Sequence, residues 1–310
     1  MDKNKVKKDL SEILKTENNI RLDVPMKEYT SFKVGGEADI FVEPGGISQL
    51  TGIIDYLYKN KIPYIVIGNA TNIVFRDGGF RGVVIMIGPD LGGIQINDDN
   101  SVLAGSGVLL SALAKTVAGE GLTEMEFASG IPGSLGGAVF MNAGAYGGEM
   151  KDILKQVTVY DPDACKTEII QVEDMDLSYR KSIFQTNGKI ILDALIKLKK
   201  GRKEEILVAM RELAERRNSK QPVNMPSAGS FFKRPEGYYA GKLIQDAGLS
   251  GLKQGGAQIS ELHSGFMVNT GCATAADIEK LMHSVQDAVF GKFGVKLEPE
   301  IRIVGETTRE

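Results

Sequence analysis

Residues 129–148 read SGIPGSLGGAVFMNAGAYGG, seven glycines in twenty positions with no charged side chain. Glycines this close together let backbone N–H groups approach an anion, usually phosphate, with no Cβ in the way. The common phosphate motifs do not fit. A Walker loop needs lysine and Ser/Thr after its last glycine, whereas Gly136 is followed by Gly137 and Ala138. A dinucleotide fingerprint opens the first βαβ unit of a chain, and this run lies mid-chain. The plain alternative is a small-residue turn that packs two elements closely. The density of glycine weighs against it.

Working outward, the sequence alternates strand and helix. ADIFVEP (38–44) reads as a strand, and 47–60 as a helix with Leu50, Ile53, Ile54 and Leu57 on one face. YIVIG (64–68) is a buried strand that runs into the loop GNATN (68–72), and the three together make a βαβ-like start. Strands follow at GVVIMIG, GIQIND and SVLAGSG, then a helix over 109–118. After the glycine run come ILKQVTVYD, KTEIIQV and KIILDALIKLKK, strands with alternating apolar residues. Gly105 and Gly107 imitate a dinucleotide fingerprint, but its third glycine is Leu110, so the motif is weak. A polar turn at 199–201 marks a domain boundary before a charged helix over 203–217, whose stripe is Ile206, Met210, Leu213 and Ala214. Beyond lie a proline-bracketed loop, a short helix near 240–247, a strand near 265–269 and a helix opened by Thr274 with Asp277 three residues on, a capping box in form. The chain closes on the expected strand VKLEPEIRIV.

Composition narrows the chemistry. At 310 residues the chain accommodates about two domains, and its net charge of −3 gives no electrostatic footprint for nucleic acid. Cys165 and Cys272 form no CxxC, and His263 and His283 have no partner at ligand spacing, so no metal site is expected. Two reduced thiols fit a cytosolic protein. MDKNKVKKDL resembles the start of a signal peptide, but Leu10, Ile13 and Leu14 recur at helical spacing, which predicts a surface helix. No apolar run reaches membrane-spanning length, so a cytoplasmic protein is expected.

Three places combine polar groups with special backbone. GNATN and the glycine run form two neutral cradles, which suits one diphosphate ligand at the carboxyl end of a strand. In YRKSIF (179–184), Arg180 offers a planar fork for a carboxylate or phosphate, although a solvated arginine explains it equally. In PSAGSFFKRP, Ser230 is a small hydroxyl beside two phenylalanines. It lacks the G-x-S-x-G setting of a hydrolase nucleophile, and serine as an acid is left. In the closing segment, Lys296, Glu298, Glu300 and Arg302 alternate with Val295, Leu297, Ile301 and Ile303, which a charged outer face also explains.

YTSFKVGGEADIFVEP, IGNATNIVFRD, GIPGSLGGAVFMNAGAYGGE, YRKSIF, PSAGSFFKRP and LEPEIR occur in the order found in the UDP-N-acetylenolpyruvoylglucosamine reductase family, which this chain resembles. The resemblance covers roughly 29 to 304. It implies an α+β fold: a PCMH-type FAD-binding domain of two α/β subdomains at 29–200, after an N-terminal helix and lead-in at 1–28, then a smaller α/β substrate-binding domain at 201–310. It also implies NADPH-dependent, FAD-mediated reduction of an enolpyruvyl UDP-sugar in peptidoglycan precursor synthesis. Cofactor contacts fall to Gly68, Asn69, Ala70, Thr71, Asn72, Gly130, Gly133, Ser134, Gly136, Gly137, Asn142 and Gly144. Neither cradle contains His or Cys, so the flavin is expected to be non-covalent. By the same resemblance Ser230 protonates the α carbon of the substrate, Arg180 stabilises its carboxylate, and Glu300 is the acidic partner. Residue pattern alone does not choose Glu300 over Glu298. Lys220 and Arg234 are carried over as substrate contacts. A tyrosine-bearing loop that closes over UDP in some members has no counterpart, which marks a shorter type with Lys233, Arg234, Tyr238 and Tyr239 as candidates for closure. A monomer is expected. Two readings compete: another PCMH-type flavoprotein oxidase, and a flavin-binding protein without catalysis. The joint presence of Arg180, Ser230 and Glu300 argues against the second.

Overall fold

The computed structural model describes residues 1–308. They divide into two compact units, one of Met1–Leu22, Ile40–Asn69 and Gly82–Arg216, the other of Asp23–Asp39, Ala70–Arg81 and the described residues from Arg217 onward. The units therefore interleave along the chain, unlike the consecutive segments 1–28, 29–200 and 201–310 expected from sequence. The physical reason lies in long-range pairing. Strand Ile73–Phe75 runs parallel to Arg302–Val304, with Arg302 opposite Ile73 and Val304 opposite Phe75. Segment 23–39 is held by Ser31 Oγ, which donates to Ser227 O at 2.7 Å, and by Asn269 Nδ2, which donates to Phe32 O at 3.1 Å.

The first unit has two cores. In one, Val6, Leu10 and Leu14 of helix Lys3–Leu14 pack with Leu50, Ile53, Ile54 and Leu57 of helix Ile47–Lys59, the stripe predicted from spacing. Strands Tyr64–Ile67 and Phe80–Met86 pair in parallel beside them, Tyr64 opposite Val83 and Ile67 opposite Met86; Phe80–Met86 lies between Glu37–Val42 and Tyr64–Ile67, so the two strands that flank helix Ile47–Lys59 share a sheet without pairing directly. The other core lies on a five-stranded antiparallel sheet in the order Lys166–Gln171, Leu154–Asp161, Ile190–Lys197, Ser101–Gly105, Ile94–Ile96. Val157, Val159, Ala194 and Ile196 are buried with Leu113, Val117, Leu135 and Val139 from helices Leu110–Gly119 and Leu135–Phe140. Each buried aliphatic side chain of this kind contributes about 1.5–3 kcal/mol.

The second unit is built on a four-stranded antiparallel sheet ordered Ser227–Ser230, Phe266–Asn269, Ala257–Ile259, Lys253–Gln254. Helices Ala240–Asp246 and Ala275–Phe293 supply Ile244, Ile278, Leu281, Val285 and Val289 to a core with Phe231, Met267, Leu297 and Ile301. The capping box of Thr274 and Asp277 forms as the sequence predicts. A second cap is added from far away: the Asp77 carboxylate accepts from Ala275 N and Ala276 N at 2.8 Å each. Together these satisfy the first helical N–H groups, which have no partner inside a helix. The closing strand is shorter than expected, spanning only Arg302–Val304. Upstream of it the extended backbone pairs at a single bridge, Phe232 with Pro299.

Candidate active site

In the first unit the glycine run bends around the turn at 105–107. Leu110 N donates to Gly133 O at 3.0 Å, Leu135 N to Val108 O at 2.8 Å, and Gly136 N to Ser106 O at 2.9 Å. A Cβ on Gly136 would lie 2.8 Å from Ser106 Cβ, so this glycine is needed for packing against protein. Part of the run thus does what the plain alternative proposed. The loop GNATN meets the run from the other side. Asn69 Nδ2 donates to Pro132 O at 2.5 Å, and no methyl group fits between Gly68 and the Ser134 hydroxyl. What the joined loops leave accessible is small and neutral: Gly68, Asn69, Pro132, Gly133, Gly136 and Gly137.

Three residues expected at the cofactor are placed differently. Ser134 is only 3% exposed, against Gly68, and Ala70 is 6% exposed, with φ 47° and its carbonyl accepting from Ser31 N at 3.1 Å. Asn142 has no exposed surface. Its Nδ2 donates to Glu149 Oε2 at 2.7 Å and Ser178 O at 3.0 Å, while Oδ1 accepts from Lys151 N at 2.9 Å. With its amide engaged inside the protein, Asn142 acts as a brace. Gly130 and Gly144 are half-buried.

The brace leads to Arg180. Ser178 and Lys181 exchange backbone hydrogen bonds of 3.2 and 3.0 Å, closing a tight turn with Tyr179 and Arg180 at its tip. Arg180 adopts φ 55°, a left-handed conformation unusual for a residue with a Cβ. Its guanidinium lies 5.0 Å from the Tyr179 ring, and Nη2 donates to Gly144 O at 3.3 Å. The unit thereby brings Arg180 to the end of the glycine run.

In the second unit Ser230, Glu300 and Asn72 come together. Strand Ser227–Ser230 pairs with Phe266–Asn269 so that Ser227 faces Val268 and Ser230 faces Phe266. Three steps on one strand against two on the other make a β-bulge, which Gly229 permits at φ 78°. The bulge re-aims Ser230, which is exposed. Next to it Glu300 N donates to Phe231 O at 2.8 Å. Asn72 Nδ2 donates to Glu300 O at 3.2 Å, and Asn72 O accepts from Arg302 N at 3.1 Å. Asn72, read from sequence as a cofactor contact, therefore also holds the backbone at Glu300. The choice between the two glutamates becomes physical here. Glu298 is 74% exposed and ion-paired to Lys233 at 3.4 Å, whereas Glu300 is half-buried with Oε2 inaccessible to solvent.

Thr71 is half-buried in the same loop. Lys220 ends the helix Lys203–Lys220, exposed, and Arg234 is exposed with its guanidinium 4.8 Å from the Tyr239 ring. Burial holds the His263 imidazole below its usual pKa. Sequence reasoning missed Gln185 and Asp77: each is a single polar residue outside any periodic pattern, with partners distant in the chain. Among the described residues no cluster of His, Cys, Asp and Glu could hold a metal ion, and no helix is long and apolar enough to cross a membrane.

The FAD binding domain model matches residues 38–165, which span both loops, and the model of the C-terminal domain of UDP-N-acetylenolpyruvoylglucosamine reductase matches 221–304, which span Ser230 and Glu300. The UDP-N-acetylenolpyruvoylglucosamine reductase of Alkaliphilus oremlandii (strain OhILAs) is 51% identical over 306 residues, 99% of this chain and 100% of the relative. The chain belongs to the UDP-N-acetylenolpyruvoylglucosamine reductase family. The reductase of Clostridioides difficile (strain 630) is 50% identical over 291 residues, covering 94% of this chain and 95% of the relative. The crystal structure of the reductase from Thermus caldophilus matches with a TM-score of 0.79 at 34% identity, over 92% of this chain and 99% of that one. Membership of the reductase family accounts for the PCMH-type α+β fold. The accessible glycine strip fits FAD: it is neutral, it lacks side chains that would fill it, and it lies within the matched FAD-binding segment.

Proposed function

We propose that this chain reduces the enolpyruvyl ether of UDP-N-acetylenolpyruvoylglucosamine to UDP-N-acetylmuramate in the cytoplasm, with NADPH as reductant and FAD as carrier. The observation that carries the reading is the bulged strand that presents Ser230 beside Glu300 in the unit matched by the reductase C-terminal model. An FAD-binding domain alone would suit many oxidases. The bulge and the Glu300 contact belong to the part that is specific to this family.

Gly68, Asn69, Thr71, Gly133, Gly136 and Gly137 would hold FAD, which once reduced by NADPH would supply the hydride for the β carbon of the substrate. The chain's own residues handle charge and protons. Arg180 binds the substrate carboxylate through its planar fork, where a point charge would bind less well. Ser230 carries its proton at Oγ and delivers it to the α carbon, which completes reduction of the double bond, and solvent restores the serine. Glu300, as a hydrogen-bonding carboxyl group, lowers the energy of the negative charge that develops before that proton arrives. Removing one such preorganised donor costs about 2.7–4 kcal/mol of transition-state stabilisation. Lys220 and Arg234 are assigned to the UDP diphosphate.

The test is NADPH consumption by purified holoenzyme. Oxidation of NADPH is expected only when the enolpyruvyl sugar nucleotide is present, with UDP-N-acetylmuramate formed in equal amount. Oxidation supported instead by an alcohol or a sugar, or none with the enolpyruvyl substrate, would transfer the protein to the oxidase reading or to a non-catalytic one.

A further inference from the structure

The Arg180 turn needs fastening. A residue with a Cβ in the left-handed region is strained by about 1–2 kcal/mol, so its surroundings must hold it there. Three side chains do so in the first unit. Asn142 Nδ2 reaches Ser178 O at 3.0 Å, and Ser182 Oγ reaches Phe140 O at 2.6 Å. Gln185 is different because it touches Arg180 itself: its Nε2 donates to Arg180 O and to Phe140 O, both at 3.0 Å. An amide nitrogen has two hydrogens, so both bonds form at once. Phe140 ends the short helix Leu135–Phe140 that grows out of the glycine run. One amide thus ties the Arg180 backbone to the element that forms the cofactor strip, while the Arg180 guanidinium returns to Gly144 O.

We propose that Gln185 is a positioning residue for Arg180, its two N–H groups holding the strained turn so that the guanidinium stays aimed along the end of the glycine run. The inference rests on the reading of Arg180 as the carboxylate-binding residue. Asn142 and Ser182 hold the flanks of the turn, but neither contacts Arg180, and loss of Gln185 leaves its carbonyl without this donor.

Gln185→Met keeps the length of the side chain and removes both donors. In full-length holoenzyme, FAD content and the rate of flavin reduction by NADPH are expected to stay within about twofold of the parent, with a single cooperative unfolding transition retained. Reoxidation by the enolpyruvyl substrate is expected to slow by about 10- to 100-fold, the effect of losing one or two aligned hydrogen bonds. In an Arg180→Lys background the same change is expected to add less than about twofold, because residues acting as one unit are non-additive. Gln185→Leu, which also lacks both donors and adds no charge, repeats the measurement should the methionine variant fail to accumulate. A normal substrate half-reaction, an equal loss of NADPH reduction, or an effect that multiplies in full on Arg180→Lys would each overturn the proposal. The two readings separate cleanly: normal turnover by Arg180→Lys alone sinks the role of Arg180 and the proposal with it, whereas an impaired Arg180→Lys with a normal Gln185→Met sinks only the role of Gln185.

Discussion

Gly136→Ala tests whether the glycine run works through close packing. The added methyl would sit 2.8 Å from Ser106 Cβ and 3.3 Å from Ser106 O, where ordinary contact begins at 3.4 Å. Relief of the closer contact needs a shift of about 0.6 Å, the difference between 3.4 and 2.8 Å. Ser106 is 1% exposed and cannot swing away, so the start of helix Leu135–Phe140 must move. The hydrogen bond from Gly136 N to Ser106 O, now 2.9 Å, would stretch to about 3.5 Å, beyond the usual N–H···O range. Overpacking of this size costs about 1–3 kcal/mol. If closure of the strip around FAD carries that cost, the Kd for FAD rises by about 5- to 150-fold. Titration of apoprotein with FAD, followed by quenching of flavin fluorescence, measures it. Ser106→Gly in the same chain removes the opposing Cβ and is expected to return the Kd to within a few-fold of the parent. A parental Kd in Gly136→Ala, or a double variant as weak as the single one, refutes the packing argument. An effect through the space of the pyrophosphate, which the sequence alone suggested, would leave the double variant unrescued.

Ser230→Ala should bind FAD and be reduced by NADPH normally, while reoxidation by the enolpyruvyl substrate slows by about 10²- to 10⁴-fold, as for loss of a general acid; rapid mixing of each half-reaction decides, and loss of the NADPH step alone removes Ser230 as proton donor. Ser106 Oγ is buried with no hydrogen-bond partner among the described residues, so Ser106→Ala is expected to stabilise the protein by about 1 kcal/mol in urea unfolding, and a lowered midpoint would show that the hydroxyl is satisfied. Burial lowers the pKa of His263, so as pH falls below about 6.5 the unfolded chain takes a proton that the folded chain refuses. Stability should decline with acid in that window, and His263→Gln should flatten the decline; identical slopes for both proteins would exclude His263 as its source.

What could be read from the sequence was what nearby residues decide. The stripe of Leu50, Ile53, Ile54 and Leu57 and the box of Thr274 and Asp277 are local patterns, and both form as read. The interleaving of the two units was hidden because it depends on Ile73–Phe75 finding Arg302–Val304, two short segments with no mark of their partnership. The internal partners of Asn142 were hidden for a related reason. A small polar residue among glycines looks like a ligand contact, and only the three-dimensional structure shows Glu149, Ser178 and Lys151 around it. Alternation put Glu298 and Glu300 on one side of the chain. Both are tied by backbone bonds of 2.8 Å, Glu298 to Lys233 and Glu300 to Phe231, and the difference lies in their side chains: that of Glu298 is exposed beside Lys233, while Oε2 of Glu300 is shut off from solvent.

The bulge at Gly229 makes the position of Ser230 a matter of counting. Ala228 and Gly229 carry almost no side chain, and a survey of chemical groups would pass over them. Yet the ladder places Ser230 opposite Phe266 with one more residue on its strand than on the partner. Loss of the Gly229 codon would regularise the pairing, two steps against two: Ser230 would still face Phe266, but without the bulge that re-aims it. A substitution at Ala228 perturbs one buried methyl, while an in-frame deletion of its neighbour, the smallest kind of residue there is, keeps every functional group and takes away the bend that aims one of them.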